Sequence, residues 1–315
     1  MVRRLSIAGA QLGPIGRGEP RSRVVPRLIA LMREAKGRGA ELVVFPELAL
    51  TTFFPRWHIT DAEELDSYYE SEMPSAATLP LFEEARRLGI AFHLGYAERV
   101  IEDGRERRFN TAILVDASGA IIAKYRKIHL PGHAEPDPAR RFQHLEKRYF
   151  EPGNLGFKTW DALGGVLGIL ICNDRRWPEA FRVLGLQGVE LVLIGYNTPA
   201  VNGQIFEPPH LRAFHNHLTM QAGAYQNGTW VVGVAKAGHE GGVDMMGGSA
   251  IISPNGEIMA QSASLEDELI LAVCDLDAGA YIKQNIFNFA AHRRPEHYRL
   301  IVETVGALKG PGAGG

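Results

Sequence analysis

One stretch of the chain repeats itself. Gly39-Ala40-Glu41-Leu42-Val43-Val44 returns, altered but legible, as Gly188-Val189-Glu190-Leu191-Val192-Leu193. A second pair agrees with it: Val115-Asp116-Ala117-Ser118-Gly119-Ala120-Ile121 and Ile252-Ser253-Pro254-Asn255-Gly256-Glu257-Ile258. The first pair reads as a glycine that ends a helix, then a short apolar strand. The second reads as a hairpin with glycine-bearing turn chemistry. Repetition of this kind favours an α/β chain of two similar halves, with two sheets packed face to face and helices outside. No low-complexity segment divides it, so residues 1–308 read as a single domain. The Gly-rich residues 309–315 read as a disordered tail.

The other elements fit that scheme. Residues 5–12, 42–45, 91–96, 166–171, 191–194, 230–235 and 269–275 read as strands, and 24–36, 79–88, 178–186 and 211–226 as helices. Pro26 is expected near the first turn of its helix. Residues 51–58 form an aromatic-rich loop, read chiefly as packing. Residues 131–156 show neither helical nor strand period, and a loop that long is usually functional or disordered.

Composition narrows the function classes. Lys+Arg 34 against Asp+Glu 36 offers no basic field for nucleic acid. No apolar run approaches the ~20 residues of a membrane span, and no signal-peptide core opens the chain. Two cysteines cannot form a secretory framework, which favours a reducing compartment. The expectation is a soluble cytoplasmic protein with no nucleic-acid or membrane partner.

Chemistry gathers at strand ends. The apolar run 166–171 stops at Cys172, followed by Asn173, Asp174, Arg175 and Arg176. A free cysteine is ordinarily a buried, inert residue. These polar neighbours suit instead a turn that presents a thiol to a pocket and lowers its pKa. Glu47 follows a buried strand closed by Pro46, and Lys127 leaves the strand after Tyr125. A thiol, a carboxylate to take its proton and an ammonium to stabilise an oxyanion make a coherent nucleophilic site. Each also has a plain reading as a capping or solvated charge. Cys274 lies inside the last strand and reads as structural.

Phe45-Pro46-Glu47, Tyr125-Arg126-Lys127-Ile128-His129-Leu130 and Ile171-Cys172-Asn173-Asp174-Arg175-Arg176-Trp177-Pro178-Glu179 resemble the signatures of the nitrilase superfamily. The closer resemblance is to N-carbamoyl-D-amino-acid amidohydrolases, the D-carbamoylases, carried by residues 45–58, 142–153, 195–199 and 220–223. It spans about residues 5–298 and departs around 199–209 and past 300. It implies a four-layer αββα sandwich and metal-free hydrolysis of a C–N bond, with no cofactor. It implies Glu47 as general base, Lys127 as oxyanion stabiliser and Cys172 as nucleophile. Glu146 fits the position of a second glutamate that orients the lysine and helps deacylation. The implied partner is a small-molecule N-carbamoyl amino acid, and the implied assembly a homodimer or homotetramer, with residues 284–294 as a possible contact arm.

Such a substrate carries a carboxylate. Arg175 and Arg176 suit it, because guanidinium holds carboxylate in a bidentate fork. Adjacent residues seldom point the same way, so one of them is free to pair with a protein acid. Asn173 offers a backbone N–H to the oxyanion. Asn197 and Thr198 are candidates to hydrogen-bond substrate, and His129 and His144 to orient Lys127, Glu146 or substrate. The alternatives are a β-ureidopropionase or an aliphatic amidase of the same superfamily, and a non-catalytic binding module. His210, His215 and His217 lack zinc spacing and a suitably placed acid. Residues 164–168 are too short for a dinucleotide loop.

Overall fold

The computed structural model describes residues 2–140, 142–201 and 207–308. The tail expected over 309–315 and the middle of the 199–209 stretch lie outside the described residues.

In chain order the elements are β1 (Arg4–Gln11), α1 (Arg21–Gly37), β2 (Leu42–Val44), α2 (Ala62–Ser67), β3 (Tyr69–Glu70), α3 (Leu79–Leu88), β4 (Ala91–Glu102), β5 (Arg105–Val115) and β6 (Ile121–Arg126). There follow α4 (Glu146–Tyr149), β7 (Thr159–Ala162), β8 (Gly165–Ile171), α5 (Pro178–Leu186), β9 (Leu191–Tyr196), α6 (Pro209–Asn227) and β10 (Trp230–Ala235). The last strands are β11 (Ala237–Glu240), β12 (Val243–Met246), β13 (Ala250–Ile252), β14 (Ile258–Gln261) and β15 (Glu268–Asp275).

The strands form two large sheets, ordered β15-β1-β2-β4-β5-β6, with β3 beside β4, and β14-β13-β10-β9-β8-β7. Each has three parallel strands at its centre, β1-β2-β4 in one and β8-β9-β10 in the other. Antiparallel strands flank both triplets. Superimposing the two orders puts β1 on β8, β2 on β9, and the hairpin β5–β6 on β13–β14. The β2/β9 pair and the two hairpins are the segments that echo in sequence. The inner faces share one apolar core, in which Ile7, Val44, Ala112 and Leu114 meet Ile169, Leu193, Val232 and Ile251. Helices α1 and α3 cover the outer face of the first sheet, and α5 and α6 pack over the second. The αββα order expected from the resemblance is the order observed.

Three expectations are corrected. α1 begins at Arg21, after Pro20 in extended conformation, so Pro26 lies inside the helix and not in its first turn. The stretch 131–156 contains α4, a single turn too short to show a period. β4 and β5 form a long hairpin through Asp103-Gly104, hidden in the sequence by the charged residues of its solvent-exposed end. The aromatic loop does pack: Phe54 stacks on Tyr68 at 4.7 Å between ring centroids and meets Tyr149 and Phe150.

Candidate active site

β8 is apolar to its last residue because both of its faces are covered. At Cys172 the backbone turns with φ +47°, the left-handed region that a residue with a Cβ seldom enters. A 3-10 turn, Cys172–Arg176, follows at once. Asp174 holds this geometry. Its Oδ2 accepts from the Ile171 N–H at 3.1 Å and the Tyr125 hydroxyl at 2.8 Å. Its Oδ1 accepts from the backbone N–H of His129 at 2.9 Å. The strain at Cys172 is therefore imposed by a buried network.

Glu47 lies just beyond β2, and Lys127 just beyond β6. Lys127 Nζ donates to Glu47 Oε1 at 2.7 Å and to Glu146 Oε2 at 2.5 Å. Asn110 Nδ2 donates to Glu47 Oε1 at 2.8 Å, and the Asn197 N–H to Glu47 Oε2 at 2.9 Å. Glu146 opens α4, and His144 Nε2 stands 3.3 Å from its Oε1. The thiol of Cys172 faces the carbonyl of Asn197 at 3.5 Å. Glu47, Lys127, Glu146 and Cys172, from four separate segments, are all buried and electrostatically linked.

Burial in such a cluster splits the two carboxylates. Burial and the neighbouring Glu146 raise Glu47 against the pull of Lys127. Burial also works against ionised Glu146, but Lys127 and His144 outweigh it and hold that carboxyl below its ordinary value. Lys127 is raised, since Cys172, Glu146 and Glu47 overcome the cost of its burial. Glu47 is thus the better proton acceptor of the pair. The thiol corrects an expectation. Burial, with Glu47 adding to it, pushes Cys172 up to about 11, beyond what Lys127 and Arg175 recover. With its pKa raised that far, Cys172 rests as a thiol at neutral pH.

The tandem arginines part company. Arg175 is buried and fully engaged: Nε donates to Asn216 Oδ1 at 2.9 Å, Nη2 to Thr198 Oγ1 at 2.9 Å and Nη1 to the Cys172 carbonyl at 2.6 Å. Its guanidinium stacks over Tyr196 at 4.3 Å. Arg175 and Thr198 therefore hold protein groups, contrary to the expectation that they meet substrate. Asn197 is also turned inward. Its Nδ2 donates to the Glu47 carbonyl at 2.8 Å, while its Oδ1 is buried without a partner among the described residues. Arg176, half-buried, makes no hydrogen bond or ion pair among the described residues. Burial, then Arg175 and Arg212, pull it down to about 10, with Cys172 and Glu207 acting in the opposite sense.

The histidines orient rather than line the thiol. His129 Nδ1 stands 2.9 Å from Asp174 Oδ1, and the ring stacks between Trp177 at 5.0 Å and Phe157 at 5.7 Å. Asn173 Nδ2 donates to the His129 carbonyl at 3.1 Å, fixing the residue whose N–H follows Cys172. His144 meets Phe53 edge-on. His215 pairs with Glu207 at 2.6 Å, an acid the sequence reading did not place with it, while His217 bonds the Gly248 carbonyl. Among the described residues no group of His, Cys, Asp or Glu side chains could hold a metal ion. Nor is any described helix long and apolar enough to cross a membrane.

Sequence reasoning missed Asn110, Asp174 and Tyr125 as members of the site. The available signal was a polar Asn110-Thr111 pair beside the apolar run of β5, and Tyr125 two residues before Lys127. Cys274 is buried in β15, and burial pushes its thiol up to about 12.

A family model described as carbon-nitrogen hydrolase matches residues 6–284. A nitrilase of Pyrococcus abyssi (strain GE5 / Orsay) is 30% identical over 269 residues, 85% of this chain and 90% of the relative. An N-carbamoylputrescine amidase of Solanum lycopersicum is 26% identical over 287 residues, 88% of this chain and 89% of the relative. The crystal structure of a carbon-nitrogen hydrolase from Helicobacter pylori G27 superposes with a TM-score of 0.82 at 23% identity, covering 96% of this chain and 99% of the other. That last likeness is one of fold.

Proposed function

The chain belongs to the carbon-nitrogen hydrolase family, which acts on amide and carbamoyl compounds, and on that premise we propose that it hydrolyses N-carbamoyl-D-amino acids through a covalent intermediate on Cys172. Glu47 takes the thiol proton as the sulfur attacks the ureido carbon. The oxyanion is met by Lys127 Nζ and the N–H of Asn173. Collapse breaks one C–N bond, and the departing amine carries off the proton that Glu47 held. Water, deprotonated by a glutamate of the pair, then attacks the carbon of the S-thiocarbamate and releases the thiol and a carbamic acid, which loses carbon dioxide to free the second amine. The sum is amino acid, ammonia and carbon dioxide, whichever amine leaves first.

The observation that carries the substrate class is Arg176. It is a half-buried guanidinium that makes no hydrogen bond or ion pair among the described residues, electrostatically favoured by Cys172 and Glu207 and repelled by Arg175 and Arg212. A half-buried guanidinium with no hydrogen-bond acceptor of its own is costly, and a substrate carboxylate relieves it. Preference for the D-isomer rests on the resemblance of the segments quoted above. A β-ureidopropionase activity places a carboxylate at the same arginine and is the second reading. An aliphatic amide leaves Arg176 unpaired, and a cationic chain, as the name N-carbamoylputrescine amidase implies for that relative, meets like charge.

The test is ammonia release from N-carbamoyl-D-amino acids, their L-isomers, N-carbamoyl-β-alanine, N-carbamoylputrescine and plain amides. Fastest turnover on the D-series is expected. Faster turnover on N-carbamoylputrescine or plain amides overturns the assignment.

A further inference from the structure

Glu47 must be held in place by more than hydrogen bonds to its carboxylate, because the chain around it belongs to neither helix nor strand. The turn 45–48 runs between the two sheets. Two glycines approach it, Gly95 of β4 and Gly195 of β9. A Cβ on Gly95 would stand 2.7 Å from the Pro46 carbonyl oxygen, 2.8 Å from Glu47 Cα and 3.0 Å from the Leu48 nitrogen. A Cβ on Gly195 would stand 2.5 Å from the Glu47 nitrogen and 2.6 Å from the Pro46 carbonyl carbon. All five atoms are backbone, so no side-chain rotation relieves the overlap. Neither glycine has the positive φ that would itself demand glycine. Their lack of a side chain serves the close approach alone.

Hydrogen bonds finish the seat. The Phe45 N–H donates to the His93 carbonyl at 3.0 Å, and the Ala49 N–H to the Gly95 carbonyl at 2.8 Å. His93 Nδ1 donates to the Phe45 carbonyl at 3.0 Å. Asn197 ties the Glu47 carbonyl to the end of β9. The internal repeat explains why the halves meet here. Aligning 39–44 with 188–193 sets Pro46 opposite Gly195, so equivalent points of the two halves pack on one another.

We propose that Gly95 and Gly195 are positioning residues for the reaction: a glycine from each sheet clamps the backbone of Glu47 and so sets its carboxylate against Lys127 and Cys172. The proposal rests on the reading of Glu47 as the base. Geometry at this level matters, since a misplacement of ~1 Å costs roughly 10²-fold in rate.

The experiment compares Gly95→Ala, Gly195→Ala, Glu47→Gln and the control Gly9→Ala in the full chain. The three atoms nearest a Cβ on Gly9, in β1, are side-chain atoms of Ile270 and Val234 at 3.0, 3.1 and 3.3 Å, with no backbone atom among them. Circular dichroism reports folding, steady-state kinetics report kcat and KM, and iodoacetamide reports the reactivity of Cys172 without any substrate. Both clamp variants are expected to fold, to lose about 10²-fold in kcat with KM near wild type, and to shift in alkylation rate in the same direction as Glu47→Gln. Gly9→Ala crowds Ile270 and Val234 but no backbone of the site, and is expected to fold and to keep the wild-type kcat, KM and alkylation rate. Folded clamp variants that alkylate at the wild-type rate overturn the proposal. So does insolubility of both beside a soluble Gly9→Ala, which makes the glycines a purely structural seat. A wild type inactive on N-carbamoyl acids would sink the substrate assignment and leave the alkylation comparison standing.

Discussion

The Nη1 of Arg175 stands 2.6 Å from the carbonyl oxygen of Cys172. That contact makes Arg175 part of the turn that presents the thiol. Arg175→Lys loses the fork that also holds Thr198 and Asn216, leaving buried acceptors unmet at about 1–3 kcal/mol. It is expected to lower kcat alike on substrates with and without a carboxylate, and to lower the melting temperature. Arg176→Leu is expected to raise KM for carboxylate-bearing substrates only. Steady-state kinetics on an N-carbamoyl acid and its amide separates the two, and the opposite pattern would exchange their roles.

A second buried ion cluster braces the aromatic loop beside Glu47. Glu240 Oε1 accepts from Arg56 Nη2 at 2.9 Å and the Phe53 N–H at 2.8 Å, and its Oε2 lies 3.1 Å from Lys236 Nζ. Glu240→Gln strands two buried cations, and breaking such a group costs about 3–5 kcal/mol. Burial opposes the charge on Glu240, but Lys236 and Arg56 hold its carboxyl below the ordinary value. A depressed folded pKa gives stability that is fully present above the unfolded value of ~4.3 and fades as pH falls. Urea unfolding should show a wide gap between wild type and variant at neutral pH that narrows on acidification. A gap that is constant with pH would remove Glu240 ionisation from the account.

The contrast between these two clusters shows what a sequence exposes. Glu47 and Cys172 each follow a short apolar run and Lys127 leaves the strand after Tyr125, so a polar or reactive residue at a strand end marked them. The pairing of the halves was legible because residues 39–44 and 188–193 are alike. Glu240 and Arg56 are joined only by the fold, and nothing local in either segment points to the other. Which arginine of the pair is engaged depended on Asn216 and Thr198, which meet it from β9's end and from α6. The thiol pKa was misread because neighbouring charges are visible in a sequence and complete burial is not.

Direct titration of Cys172 tests that last point. The thiol stands at about 11, raised first by burial and then by Glu47, and lowered by Lys127. Glu47→Gln removes a negative charge and should bring the midpoint down. Lys127→Met removes the positive one and should push it up. The pH dependence of iodoacetamide modification at Cys172, with Cys274 as the slower internal reference, reads both shifts. A wild-type midpoint below neutrality would mean a resting thiolate and would dispense with Glu47 as the base for attack.

Glu146→Gln tests the division of labour between the two glutamates. Glu146 is one of the charges that raise Glu47, so removing it should lower the Glu47 pKa. Glu47 acts as base only when ionised, and activity therefore falls as pH drops through its pKa. The acid limb of kcat/KM should lie above the ordinary carboxylate value of ~4.3 in wild type and move to lower pH in the variant. Acylation survives in that variant, because Glu47 and Asn110 remain on one side of Lys127. Deacylation needs water oriented and deprotonated beside the S-thiocarbamate, and the ion pair that steadies Lys127 from the Glu146 side is gone. An adduct on Cys172 should accumulate, visible by intact-protein mass spectrometry within the first turnovers. Wild-type turnover with an unmoved acid limb would make Glu146 a bystander and reduce the catalytic set to Glu47, Lys127 and Cys172.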